Sequence, residues 1–201
     1  MQSLLGLTIS FVLITAGVAL ECEVCTSVGT SCTGTMQTCE AGKDTCIIIV
    51  TESTMNGMQI PTVVKTCESS SHCKYGPQYM HFGQGQEFRT AFSCCVGDAC
   101  RTATPQLPPV VTKHNRKQCP ACYSLFSGIC NQEEMVDCVG EENDCLHVAA
   151  TVTYGTSVIN TVQKGCATKG FCADLNVGEF STMGLRSLIT RAECKAASTT
   201  A

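Results

Sequence analysis

Cysteine is the residue type in this sequence with the most scope for chemistry. There are 18 cysteines among 201 residues, several times the usual frequency in a soluble domain. Cys22 and Cys25 are separated by two residues, as are Cys119 and Cys122, which is the spacing of zinc ligands and of redox dithiols. Disulfide bonding is the third possibility. The compartment in which the chain folds decides among the three.

The start of the sequence indicates that compartment. An apolar run from Leu4 to Ile14 is too short to span a bilayer comfortably, and small residues follow it. This pattern predicts a secretory signal peptide over residues 1–19. The first basic side chain is Lys43, so a short membrane anchor remains the alternative. The polar tail, residues 196–201, predicts no anchor at the other end. We therefore expect a secreted, extracellular protein, in plasma.

The spacing of the cysteines repeats along the chain. The offset between matching cysteines runs from 97 (Cys22 to Cys119) to 100 (Cys94 to Cys194), which predicts two homologous modules, residues 20–100 and 119–195. Ten cysteines fall in the first module and eight in the second. Because both counts are even, every sulfur can be bridged within its module, and disulfides are favoured over zinc or redox sites. No metal site is expected.

Composition excludes several functional classes. The chain has 17 acidic and 13 basic residues, no tryptophan and 5% aromatics. The negative charge argues against nucleic acid as a partner, and a large enzyme core is not expected. The four histidines are scattered, and no serine nucleophile elbow or His-Glu-x-x-His motif occurs. We expect neither an enzyme nor a cofactor.

Residues 101–118 predict a linker between the modules. They contain three of the six prolines and four basic residues with no acidic one. Proline favours extended backbone without ladder hydrogen bonds, so we expect a semi-rigid connector that reaches solvent. Its basic cluster, 113–117, either docks on an acidic partner or an anionic surface or is a solvated segment. The acidic run 137–144 is expected to be a solvated loop, with imitation of a ligand for a basic enzyme as the alternative.

The long gaps between cysteines predict β-hairpins. β-Branched runs at 46–51 and 60–66 flank Asn56 and Gly57, a dipeptide that suits a tight turn. The second module repeats this arrangement around Gly155. A third hairpin is expected around 83–85 in the first module. No sustained helical periodicity occurs beyond the leader, so the predicted fold is all-β, with short fingers extending from a disulfide-linked base.

The cysteine progression in residues 22–100 resembles the three-finger domain of the urokinase-receptor and snake-toxin family. The fold class that follows is all-β, with two tandem disulfide-rich three-finger domains. The second module has Lys195 where the next cysteine of the family would stand, so its last bridge is expected to be missing. The resemblance implies the pairs Cys22–Cys46, Cys25–Cys32, Cys39–Cys67, Cys73–Cys94 and Cys95–Cys100 in the first module, and Cys119–Cys145, Cys122–Cys130, Cys138–Cys166 and Cys172–Cys194 in the second.

A narrower resemblance covers nearly the whole chain. Two tandem modules, the Leu107-Pro108-Pro109 linker and Cys119-Pro120-Ala121-Cys122-Tyr123 are similar in order and spacing to the gamma-type phospholipase A2 inhibitors. The resemblance implies a secreted protein, forming a homo- or hetero-oligomer in many members, that binds secreted phospholipase A2 and blocks it noncovalently. It also implies partner contacts at Pro105, Leu107, Pro108 and Pro109. The alternative is a secreted receptor-binding signalling or pheromone-type protein, similar to the sodefrin-precursor-like factors.

Overall fold

The structure, a computed structural model, describes residues 19–55, 57–74, 76–173, 175–182 and 185–199. The predicted signal peptide, apart from Ala19, lies outside the described residues, as does Asn56 of the predicted turn. Within the described part of the chain, no helix is both long enough and apolar enough to cross a membrane.

Each module forms three antiparallel fingers, which confirms the three-finger fold class. In module 1 (20–100) the fingers pair β1 with β2, β3 with β4 and β5 with β6; in module 2 (119–195) they pair β7 with β8, β9 with β10 and β11 with β12. The described strands are β1 Glu21–Val28, β2 Thr35–Thr38, β3 Thr45–Met55, β4 Met58–Glu68, β5 Gln78–His81, β6 Glu87–Cys95, β7 His114–Leu125, β8 Glu134–Val139, β9 Glu142–Tyr154, β10 Ser157–Thr168, β11 Gly178–Thr182, β12 Leu185–Ala196 and β13 Ser198–Thr199.

The helices are short. Ser70–Lys74 and Gly97–Arg101 are 3₁₀ helices, and α1 spans Lys169–Ala173. Five residues are too few to show a helical period in the sequence. Two of these turns carry cysteines of the third finger, Cys73 and Cys172, and place them opposite their partner strands.

The middle finger of module 1 shows why these strands form. The run Ile47-Ile48-Ile49-Val50 is β-branched throughout, which favours extended backbone. Ile47, Ile48 and Val50 are buried, and the run is paired on both edges, with β4 and with β6. Because consecutive residues such as Ile47 and Ile48 lie on opposite faces and both are buried, the strand has a continuous apolar run and not an alternating one.

Nine disulfides link the strands and loops of the two modules, and no cysteine in the described residues is free. The bridges have the pairs that the family resemblance implies: Cys22–Cys46, Cys25–Cys32, Cys39–Cys67, Cys73–Cys94, Cys95–Cys100, Cys119–Cys145, Cys122–Cys130, Cys138–Cys166 and Cys172–Cys194. The sulfur triplets Cys22, Cys39, Cys67 and Cys119, Cys138, Cys166 lie close together. These triplets are neighbouring bridges, so their sulfurs offer no thiolate to a metal.

The two modules form one continuous sheet. The base of β10 pairs with β5 through Cys166–His81 and Ala167–Met80, while the part of β10 nearer the fingertips pairs with β7. The third finger of module 1 therefore lies along the edge of the middle finger of module 2. The sequence predicted separate sets of fingers and did not indicate this pairing.

The end of module 2 is held without the missing bridge. The Ala197 N–H donates to the Asn143 carbonyl at 2.9 Å, and β13 pairs with β7 at Gln118 and Lys117. Residues 197–199 of the predicted tail thus bond to the module. Strand β7 begins at His114, so the last five residues of the predicted linker also belong to this sheet.

Candidate functional site

The linker lies against module 1 at its first half. Ala103 and Leu107 are half-buried against the module 1 core, which is the cluster Cys22, Cys46, Ile48, Val50, Val63 and Cys95. Arg89 Nη1 donates to the Pro108 carbonyl oxygen at 2.7 Å. Arg89 also pairs with Glu52 on the adjacent strand, and both side chains are mostly buried, at 12% and 15% exposed. The ion pair fixes the guanidinium that holds the linker.

The second half of the linker is fixed on module 2. The Gly140 N–H donates to the Lys113 carbonyl at 3.0 Å. Val111 packs directly on Gly140, where an added Cβ would lie 2.9 Å from Val111 Cγ1. Because both ends are bonded to the modules, we call this part of the linker, residues 103–113, the braced strap. The sequence predicted a connector that reaches into solvent, whereas the strap lies against both modules.

The strap exposes two adjacent apolar residues. Of the predicted contact residues, Pro105, Leu107 and Pro108 are partly buried and Pro109 is exposed. The next residue, Val110, is 50% exposed and was not among the predicted contacts. Pro109 and Val110, called here the strap apex, are adjacent exposed apolar residues of the linker and are accessible to a partner.

Part of the basic cluster 113–117 is hydrogen-bonded to module 2. Asn115 Nδ2 donates to the carbonyls of Gly140 and Glu142, at 3.0 and 2.8 Å. Lys117 Nζ donates to Asn143 Oδ1 at 2.7 Å. These contacts attach β7 to the turn between β8 and β9, whereas the side chains of Lys113, His114 and Arg116 in the same cluster are exposed.

Four apolar residues form an interface cluster between the modules: Met80, Phe82, Leu146 and Ala167. Phe82 is 1% exposed, and its ring lies 5.4 Å from that of Phe88 and 5.8 Å from that of Tyr123. The Tyr123 ring comes from module 2, so the aromatic contact crosses the boundary. Because this cluster holds the two modules against each other, it also fixes the relative position of the two attachment points of the strap.

Gly165 permits this close approach. A Cβ at this position would lie 2.0 Å from the His81 carbonyl oxygen and 3.0 Å from Phe82 Cα. The matching position in module 1, at an offset of 99, is Thr66, and no strand of another module lies against it among the described residues. The replacement of threonine by glycine in the repeat is the sequence feature that could have indicated the contact.

The prediction that the acidic run 137–144 is a solvated loop is wrong for Glu142. This side chain is 0% exposed; its Oε2 accepts the Val139 N–H at 2.8 Å, and its buried Oε1 has no hydrogen-bond partner within the described residues. Burial raises the pKa of Glu142 to about 8; the Val139 N–H opposes the shift and the Glu87 carboxylate adds to it. Glu142 therefore places a titratable carboxyl beside the module boundary, because it pairs in register with Thr168, whose hydroxyl accepts the Tyr79 N–H.

Replacing Glu142 by Gln should raise stability at alkaline pH. A carboxyl whose folded pKa lies above its ordinary value of 4.5 stabilises the fold below that value, and the stabilisation is lost as pH rises toward about 8. We expect the stability of E142Q relative to the wild type to rise by up to about 1.4 kcal/mol per pH unit between pH 5 and pH 8, and the two proteins to match near pH 4. Denaturant unfolding across this range measures the difference. Burial lowers the pKa of the neighbouring His81, but His81 is present in both proteins and cancels in the comparison.

E141Q is the matched control, because Glu141 is exposed and its replacement should leave the pH profile unchanged. A profile for E142Q parallel to that of the wild type would contradict the assignment of the buried charge.

The remaining histidines and cysteines form no catalytic set in the described residues. His72 Nδ1 lies 3.3 Å from Glu68 Oε1 at the surface, and His114 Nδ1 lies 3.9 Å from Asp137. Both histidines therefore face a carboxylate, and all described sulfurs are bridged. Because these sulfurs are bridged, no described cysteine is available as a thiolate nucleophile.

Comparison with known proteins agrees with this architecture. Residues 20–102 match the phospholipase A2 inhibitor family and residues 115–198 match the u-PAR/Ly-6 domain. A phospholipase A2 inhibitor gamma subunit of Gloydius brevicaudus siniticus is 34% identical over 173 residues, covering 84% of each chain. Phospholipase A2 inhibitor NAI of Notechis ater is 34% identical over 179 residues, covering 86% of each. The crystal structure of mouse TEX101 aligns with 88% of this chain and 98% of its own, at 18% identity and a TM-score of 0.34.

The identity to these inhibitors extends through both modules and the strap, and the two matched domains coincide with the two sets of fingers. The chain belongs to the gamma-type phospholipase A2 inhibitor family.

Proposed function

We propose that this protein is a secreted, noncovalent inhibitor that binds phospholipase A2 and occludes it, and that it is not an enzyme. The relatives named above carry the name of phospholipase A2 inhibitors. Nine disulfides support secretion, since such bridges form and persist outside the cytosol. The inhibitor acts as a rigid body and contributes no reacting group.

The observation that carries the proposal is the braced strap. Arg89 holds it on one side and Gly140 on the other, so the strap apex is presented in a fixed conformation. A segment that is ordered before binding loses little conformational entropy when a partner docks. Apolar residues in such a segment are the kind that dominate binding energy at the centre of an interface. We assign the primary contact to Pro109 and Val110, with Pro105, Leu107 and Pro108 supporting them.

A titration tests the function directly. The chain from residue 20 is folded oxidatively, and hydrolysis of phospholipid micelles by a secreted phospholipase A2 is measured as the chain is added. We expect activity to fall at a near-stoichiometric ratio. Undiminished hydrolysis together with saturable binding to cells would instead indicate a receptor ligand.

Replacing Val110 by Ser should weaken binding roughly tenfold without changing stability, because the side chain is half-exposed and contributes contact area to the partner. Leu107→Ser should behave differently. Its side chain packs on the module 1 core, so we expect a loss of about 1–2 kcal/mol in the free energy of unfolding. Surface-based binding and denaturant unfolding separate the two effects.

Val177→Ser is the control, since Val177 is 63% exposed and lies outside the strap; binding should not change. Equal binding by V110S and the wild type would remove the strap apex from the contact.

A further inference from the structure

The tip of the first finger of module 2 exposes apolar side chains. Leu125, Phe126 and Ile129 are 37%, 73% and 62% exposed, and all three lie in or beside the loop that joins β7 to β8. The disulfide Cys122–Cys130 closes this loop. We call residues 125–129 the fingertip.

The backbone at the exposed residue Phe126 has an unfavourable conformation. Its φ is +81°, in the left-handed region that bulky residues rarely occupy because Cβ approaches the carbonyl. Such an outlier persists only where the surroundings enforce it, and outliers of this kind cluster at ligand-binding and switch segments. Here the neighbours supply the constraint: Ser127 Oγ accepts the Ile129 N–H at 3.3 Å and donates to the Ile129 carbonyl at 3.0 Å.

The repeat shows that the fold does not need Phe126. In module 1 the Gly29 N–H donates to the Pro61 carbonyl at 2.7 Å, and in module 2 the Gly128 N–H donates to the matching Asn160 carbonyl at 3.2 Å. Gly29 comes directly after Val28, which pairs with Thr62, whereas Gly128 comes three residues after Leu125, which pairs with the matching Thr161. Phe126 and Ser127 are therefore additional residues, and module 1 closes the same finger without them.

The two chain segments that form and flank the fingertip carry no charge. Neither residues 124–132 nor the middle-finger residues 148–163 include an acidic or basic side chain, and Val158 in the second segment is 61% exposed. The nearest charged groups in sequence, Glu133 and Lys164, pair with each other. Depletion of charge around exposed aromatic and aliphatic side chains is typical of the centre of a protein interface.

The absence of basic residues also indicates which partner this surface fits. Surfaces that bind membranes combine apolar residues with lysine or arginine that contact anionic lipid, and the fingertip has none. An uncharged apolar protein surface is the better match. Building on the proposed inhibition, we infer that the fingertip docks on the apolar face with which the phospholipase A2 contacts phospholipid. Any enzyme that draws substrate from a lipid aggregate needs such a face, and covering it prevents access to substrate.

The inference is tested with the oxidatively folded chain immobilised and a secreted phospholipase A2 in solution. Phe126→Gly should weaken binding at least roughly tenfold, while its melting temperature stays equal or rises, because glycine adopts positive φ without strain. A buried structural role would instead lower the melting temperature. Phe126→Leu, which keeps an apolar side chain, should restore most of the affinity. Micelles of dodecylphosphocholine should compete with the chain for the enzyme.

Val28→Ser is the matched control, because Val28 is also 73% exposed and occupies the equivalent fingertip of module 1; its binding should equal that of the wild type. Equal binding by F126G and the wild type would overturn the fingertip assignment and leave the proposed inhibition standing. A wild-type chain that binds no phospholipase would overturn both.

Two other outcomes would also overturn the fingertip assignment. The first is binding of the wild type, but not F126G, to phosphatidylcholine vesicles without enzyme, which would make lipid the occupant. The second is a shift of the wild-type oligomer to a monomer in F126G on size exclusion, which would make a second copy the occupant.

Discussion

Replacing Cys138 and Cys166 together by alanine should lower the free energy of unfolding by about 5 kcal/mol. The bridge closes a separation of 28 residues, and in the chain-entropy model a loop of this length contributes about 3.5 kcal/mol. Both cysteines are 0% exposed and, with Cys119, form the buried centre at the base of module 2. Removing two buried sulfurs adds the cost of a cavity. Denaturant unfolding of the oxidatively folded double variant measures the loss.

The repeat supplies the comparison. Cys39–Cys67 also spans 28 residues, but its sulfurs are only partly buried beside a core that contains Ile48, Val50 and Val63. Removing Cys39–Cys67 should therefore lower the free energy of unfolding by less, about 3.5 kcal/mol. Removing Cys25–Cys32, which spans 7 residues, should lower it by about 2.5 kcal/mol. Equal losses for the two 28-residue bridges would show that sulfur burial contributes nothing beyond loop closure.

Replacing Gly165 by Ala should separate the two modules. The added methyl would lie 2.0 Å from the His81 carbonyl oxygen, and because this atom belongs to the backbone, β5 has to leave β10. Two pairs of the shared sheet and the burial of Phe82 are lost with it. Exposing one large aromatic side chain costs about 3 kcal/mol, which corresponds to a fall of roughly 10 °C in the melting temperature. Small-angle scattering should show a larger radius of gyration.

Gly76→Ala controls for the loss of glycine itself, since an added Cβ there meets nothing within 4 Å and the residue does not have positive φ. Its melting temperature and radius of gyration should match the wild type. Retained compactness in G165A, with only a lower melting temperature, would mean that the interface shifts locally and does not open.

The separation of modules by G165A should also weaken inhibition. The strap is hydrogen-bonded to Arg89 in module 1 and to Gly140 in module 2. Both bonds hold it in one conformation only while the modules keep their relative position. A loosened strap has to be ordered on binding, which costs affinity. Measuring inhibition by G165A alongside V110S separates loss of the contact itself from loss of its support.

Local patterns in the sequence predicted most of the fingers. β-Branched runs such as 47–50 fix the extended backbone, and turn residues such as Gly57 and Gly155 fix the reversals, because these effects act between residues close in the chain. The cysteine spacing indicated the repeat but left the pairing open; the pairing followed from resemblance to a family. The predicted contact at Pro105, Leu107, Pro108 and Pro109 stays a prediction; the structure shows Leu107 against the module 1 core and the next residue after Pro109, Val110, half-exposed.

The sequence by itself determined the oxidised, two-module, all-β character of this protein, because cysteine count, repeat offset and β-branched runs act locally or by composition. Only the tertiary structure decided that Gly165 admits a strand of the other module, that Glu142 is buried although it stands in an acidic run, and that Arg89 holds the linker. Each of these features depends on contacts between residues that are distant in the chain. Local sequence patterns do not show which distant residues come together.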